Sequence, residues 1–129
     1  MSGKYLLDTN TVIRLFKDDS AVVNEMAAAD LVCLSCIVIG ELLYGARNSA
    51  RVGQNLAQVH ELVDLRPVLN CDLETAEMFG QIKSALRAKG RPIPENDIWI
   101  AAHASQYQLT LVTDDHHFQQ VDGIALESW

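Results

Sequence analysis

Lys4-Tyr-Leu-Leu-Asp8-Thr9-Asn10 opens the chain with a short apolar run that stops on a carboxylate. Tyr5 to Asp8 reads as a buried strand. The residues after it, Val12, Ile13, Leu15 and Phe16, recur at helical spacing until Asp18-Asp19 interrupts them. A strand that passes directly into a helix is the first half of a βαβ unit. The pattern returns near the C-terminus in Thr110-Leu-Val-Thr113-Asp114-Asp115, a second apolar run that ends on acid. In open α/β sheets ligands bind beyond the carboxyl ends of the strands, so acids at two such ends share one crevice.

Between these runs the same alternation continues. Ser20 is expected to cap a short helix through Ala29, and Leu31 to Ser35 is a second buried strand followed by a helix from Ile37 to Ala46. Arg51 to Leu65 is amphipathic, with Val52, Leu56, Val59 and Val63 on one face. Pro67 to Leu69 is a short strand. Asp72 caps a long helix through Ala88, which Gly90 stops. After the extended Arg91-Pro-Ile-Pro94, Asn96 or a neighbour starts a helix to about Tyr107. Leu109 to Thr113 is a strand, Phe118 lies on a turn or short helix, and a last strand is expected near Ile124 to Glu127. Strands alternating with helices predict an α/β fold with a mostly parallel sheet covered on both faces.

At 129 residues, with 49% hydrophobic and 21% charged residues, the chain is expected to be one domain over 1–129 with a core of its own. The longest mostly apolar stretch, Leu31 to Leu43, is interrupted by Ser35 and Glu41 and is too short to span a bilayer. The run after Lys4 is too short for a signal peptide, so a cytoplasmic location without membrane attachment is the default expectation. Cys33, Cys36 and Cys71 cannot all pair, and their apolar neighbours suggest buried, reduced thiols. Cys33-x-x-Cys36 lacks the second Cys or His pair of a zinc site. The net charge of −7 runs against nucleic-acid binding, yet Lys83, Arg87, Lys89 and Arg91 cluster, and Arg47 and Arg51 form a second pair. These are either solvated helix faces or a route for a polyanion.

Four separate elements thus contribute acid: Asp8, Glu41, Asp97 and the Asp114-Asp115 pair. Each has an ordinary explanation, as a cap, a first-turn helix acid or a turn residue. Glu41 is the hardest to explain so, because a charge in an apolar helix needs solvent or a partner. Clustered carboxylates repel unless a divalent ion sits among them, and oxygen-only donors suit Mg²⁺ or Mn²⁺. The matching chemistry is phosphate-ester hydrolysis. His116-His117 could be metal ligands or a general acid, but adjacent residues rarely ligate one ion, so neither is expected to take part. His60 and His103 read as ordinary helix residues. Trp99 and Tyr107 could stack on bases, although core packing is the expected use.

These residues resemble the PIN-domain ribonucleases, and in particular the VapC toxins of toxin–antitoxin pairs, over nearly the whole chain. Leu7-Asp8-Thr9-Asn10, Gly40-Glu41-Leu-Leu-Tyr-Gly45, Ile93-Pro-Glu-Asn-Asp97-Ile-Trp-Ile-Ala-Ala102 and Leu111-Val-Thr113-Asp114-Asp115-His-His-Phe118 are similar to the family's four motifs, in order. Gly123 to Trp129 resembles the usual ending. The resemblance implies a PIN-like three-layer α/β/α sandwich. It also implies Asp8, Glu41, Asp97 and Asp115 as the catalytic, metal-binding acids, with Asn10 and Thr113 in support and Asp114 at a variable position beside them. The implied activity is Mg²⁺-dependent endoribonuclease cleavage, with Mn²⁺ able to substitute, giving 5′-phosphate and 3′-hydroxyl ends. Arg47, Arg51, Lys83, Arg87, Lys89 and Arg91 are then candidate RNA contacts. The implied partners are a small VapB-like antitoxin and a second copy of the chain, in a homodimer and a toxin–antitoxin hetero-oligomer.

Two other readings compete. One is a catalytically weak PIN fold that binds RNA or protein, against which the four acids count. The other is a haloacid dehalogenase-like phosphotransferase, which needs a second Asp two residues after the first, where this chain has Asn10.

Overall fold

A computed structural model describes residues 3–129. Five strands form one sheet in the order β3-β2-β1-β4-β5, and every pairing is parallel, which sharpens the expected mostly parallel sheet. β1 (Lys4–Leu7) lies at the centre between β2 (Leu31–Ser35) and β4 (Thr110–Val112), with β3 (Val68–Leu69) and β5 (Leu126–Glu127) at the edges. β2 and β4 are nearly continuous Val, Leu and Cys because both faces of an internal parallel strand are covered. Leu6, Leu7, Leu34 and Leu111 are fully buried.

The chain runs outward from β1 to β3 and then returns past β1 to β4. α1 (Thr9–Phe16), α2 (Ser20–Ala28), α3 (Cys36–Arg47) and α4 (Val52–Leu65) belong to the outward crossovers. α5 (Leu73–Lys89) and α6 (Glu95–Tyr107) make the return, so right-handed connections put them on the opposite face. The reversal makes the β1/β4 crevice the switch point of the sheet. No helix among the described residues is long and apolar enough to cross a membrane.

Local signals set most helix ends. Asp72 and Thr75 form a capping box at α5, and Gly90 ends that helix at φ 67°, where a side chain would be strained. Three expectations are corrected. Asp19, not Ser20, caps α2, because its carboxylate is preordered by Arg14 Nε at 3.0 Å and accepts from Ala21 N. α6 starts at Glu95 behind Pro94, with no side-chain cap from Asn96. In α4 the buried residues are Val59 and Leu62, while Val52 is exposed, since packing on α3 rotates the inner face.

The thiols and histidines also differ from expectation. Cys33 is buried, but Cys71 is exposed and its Sγ lies 3.7 Å from Cys36 Sγ, a pairing the Cys33-x-x-Cys36 spacing does not suggest. Burial, and then Cys36, push the Cys71 thiol up to about 11. Trp99 stacks on Phe79 at 4.0 Å between α5 and α6, as packing requires, whereas Tyr107 is 42% exposed. His103 is not an ordinary helix residue but fully buried. The Ser35 hydroxyl donates to its Nδ1 at 2.9 Å, and its Nε2 donates to the Asn70 carbonyl at 3.1 Å, tying α6 to the ends of β2 and β3.

Burial lowers the His103 pKa below its ordinary 6.5, so the folded chain favours the neutral ring. The unfolded chain gains the proton first as pH falls, and stability present above the ordinary value is lost as pH drops through the lowered folded one. Urea midpoints should therefore decline from pH 7 toward pH 5, with a shallower decline in His103→Gln. A variant with the wild-type slope would assign that decline to other groups.

Candidate metal centre

Asp8 follows the last residue of β1, and its carboxylate does two jobs at once. Oδ1 caps α1, accepting from Thr11 N at 2.9 Å and Thr11 Oγ1 at 2.7 Å. Oδ2 accepts from the hydroxyl of Thr113, at the end of β4. Thr113 Oγ1 accepts in turn from the Asp115 amide at 2.9 Å, so the ends of the two strands are laced together. Asp8 is buried, which fixes its rotamer before any ligand arrives.

Asp97 comes to the same place from the first turn of α6. Asp97, Asp115 and His117 each offer a ligand atom within 4.8 Å of the others. His117 Nδ1 lies 2.9 Å from Asp97 Oδ2 and 3.2 Å from Asp115 Oδ1. Burial raises the Asp97 pKa; repulsion from Asp115 and Asp8 adds to this, while His117 pulls it back. Among the described residues no lysine or arginine forms an ion pair with Asp8, Asp97 or Asp115. This donor set fits a divalent cation, whose charge would relieve the repulsion.

Glu41 stands beyond this trio. Thr9 Oγ1 donates to its Oε1 at 3.0 Å, and the two line a cleft of about 570 Å³ with Tyr44 of α3 and Asn96 of α6. Asn10 makes no hydrogen bond to the acids among the described residues: it is exposed on α1, next to Thr9 and Thr11, which bond Glu41 and Asp8. Asp114 also points away. It accepts from Ser128 and lies 3.4 Å from Arg14 Nη1, because successive residues in extended backbone face opposite sides.

The basic residues divide. Lys83 is paired with Glu95 at 2.8 Å, and Lys89 binds the Gln120 carbonyl at 2.7 Å and Asp122 at 3.1 Å. Arg47, Arg51, Arg87 and Arg91 are exposed and make no ion pair among the described residues. Sequence reasoning missed Thr9 and Thr11, and it weighed His117 as a ligand or general acid but set it aside. Thr11 carried a usable signal, since the residue three positions after a capping Asp offers its amide to that carboxylate, whereas Thr9 turns to Glu41 and carried none. His117 carried only its place two residues after Asp115, which caps the 3₁₀ helix His116–Gln120 by accepting from His117 N.

The profile of the PIN domain family matches residues 5–124. A tRNA(fMet)-specific endonuclease VapC of Salmonella typhimurium is 36% identical, with 98% of each chain covered. Ribonuclease VapC2 of Haemophilus influenzae is also 36% identical, again over 98% of each. Among solved structures, DNA-bound VapBC from Salmonella typhimurium superposes with a TM-score of 0.89 at 35% identity, covering 100% of this chain and 99% of that one.

Proposed function

This chain belongs to the PIN domain family, and from that premise we propose that it is a divalent-metal-dependent endoribonuclease, the toxin of a VapBC-type pair. Its cleavage leaves 5′-phosphate and 3′-hydroxyl ends. One observation carries this reading: Asp97 of α6 and Asp115 after β4 come together with His117 at the switch point, Asp8 of β1 is tied to the same strand end through Thr113, and no lysine or arginine is paired to these acids among the described residues. Asp8, Asp97 and Asp115 would hold the ion, with Glu41 across the cleft. When bound, Mg²⁺ or Mn²⁺ supplies Lewis-acid activation of water and of the phosphate.

The chain's own residues prepare the site. Thr11 and Thr113 clamp Asp8, and Thr9 orients Glu41, so little side-chain entropy is lost on binding. Arg87, in the last turn of α5, and Arg91, just after that helix, are free to meet RNA phosphates, while Lys83 and Lys89 are committed to internal partners. The relatives named for initiator tRNA make that RNA the first substrate to try.

An antitoxin segment fits an apolar groove of about 420 Å³ between α1, α3 and α4, lined by Ile13, Phe16, Leu42 and Val59. α2 takes no part in this groove, because its inner face is spent on the core. Glu41 lies at the edge of both groove and cleft, so a basic side chain on that segment can reach the acids.

Incubating the protein with initiator tRNA should give cleavage in Mg²⁺ or Mn²⁺ and none in excess chelator, with activity restored by added ion. Products should be open to a 5′-phosphate-dependent exonuclease. Cleavage that persists in chelator would overturn the metal mechanism.

A further inference from the structure

We infer that His117 is a metal ligand, and that its imidazole gives the centre a preference for Mn²⁺ over Mg²⁺. This rests on the metal-dependent reading above. The first support is spacing. Adjacent ligands on an octahedron with bonds of ~2.1 Å are ~3.0 Å apart. His117 Nδ1 lies 2.9 Å from Asp97 Oδ2 and 3.2 Å from Asp115 Oδ1, so it has the separation of a neighbouring ligand from both carboxylates at once.

The second support is that the ring is held by backbone. Asp115 Oδ1 accepts from His117 N at 2.9 Å, and the next residue, Phe118, is fully buried. The turn therefore aims the imidazole at the acids, and no long flexible side chain has to be ordered. As it stands, Nδ1 donates to Asp97. To ligate, the ring must carry its proton on Nε2, and the side chain is 48% exposed, so that proton can be hydrated. His116, likewise exposed, shows the contrast in its partner: its Nδ1 is 3.4 Å from Gln119 Nε2 and meets no acid among the described residues.

The third support is donor chemistry. Mg²⁺ takes oxygen ligands and sheds water reluctantly, whereas first-row ions accept imidazole readily. One nitrogen among carboxylates therefore discriminates between two ions that the acids alone would treat alike.

Mn²⁺ electron spin-echo spectra and calorimetric titrations with each ion test this on wild type, His117→Gln, His116→Gln and Asp97→Asn. Wild type and His116→Gln should show nitrogen modulation from a directly bound imidazole, and His117→Gln should lose it. Mn²⁺ affinity should fall about tenfold in His117→Gln, while Mg²⁺ affinity changes less than about twofold. Retained modulation, or equal loss of both ions, overturns the assignment while leaving the acid site standing. Asp97→Asn should weaken both ions. Failure of wild type to bind either ion would remove the metal reading and this inference with it.

Discussion

Changing Asp97 to Asn is expected to cut RNA cleavage at least about 100-fold, because even partners of ligands cost 10–100-fold in metal sites and Asp97 would be a ligand itself. Stability should stay within about 1 kcal/mol of wild type, and two opposing effects set that figure. Asp97 is the third residue of α6, where a negative charge favours the helix dipole, so removing it costs a fraction of a kcal/mol. Against this, the carboxylate is partly desolvated and repelled by Asp115 and Asp8, and Asn lifts that burden. Asn can still accept from His117 Nδ1, so the local geometry should survive. Initial cleavage rates at saturating ion, with urea unfolding of the same samples, decide the matter. A variant that cleaves within tenfold of wild type would remove Asp97 from the chemistry. One that unfolds far more easily would turn the loss into a folding defect.

Phe118→Ala should destabilise the fold by about 3–5 kcal/mol, the range for deleting a buried phenyl ring. Out of a total of roughly 5–15 kcal/mol for a domain, this is a large fraction. Phe118 is 1% exposed and joins the core directly after the turn that carries Asp115 and His117. It is the plug that holds that turn down. Phe118→Leu keeps most of the volume and should cost less than about 1.5 kcal/mol. Cleavage by the Ala variant, measured where it remains folded, should drop as well, since the acid turn loses its anchor. Unfolding free energies within 1 kcal/mol of each other for wild type and the Ala variant would show that the ring packs too loosely to position anything.

Much of this was legible in the chain, and the particulars show why. β1, β2 and β4 are short apolar runs bounded by turn residues, and the Asp72 and Gly90 signals act within a few residues of themselves. Such signals need no knowledge of distant partners. The helix caps that went astray, Asp19 for Ser20 and Pro94 for Asn96, lay one or two residues away, where several residues could cap and, at α2, a side-chain contact from Arg14 at the end of α1 chose among them. The inner face of α4 was misjudged for a related reason: its periodicity allowed neighbouring stripes, and packing on α3 selected one.

His103 is the plainest failure. Ser35, Asn70 and Cys71, which surround it, lie 68, 33 and 32 residues away in sequence, and no pattern around residue 103 signals a buried polar hub. His117 meets Asp97 across 20 residues, and Thr113 meets Asp8 across 105. By itself the sequence determined the alternation of strands and helices and the carriage of acid at the ends of β1 and β4, because periodicity and strand termination are local. Only the tertiary structure decided the strand order that makes β1/β4 the switch point, the exposure of Asn10, the turning away of Asp114, and the seating of His117 between two carboxylates. Those depend on which distant segments pack together, and a side chain's direction follows from the backbone once that packing is set.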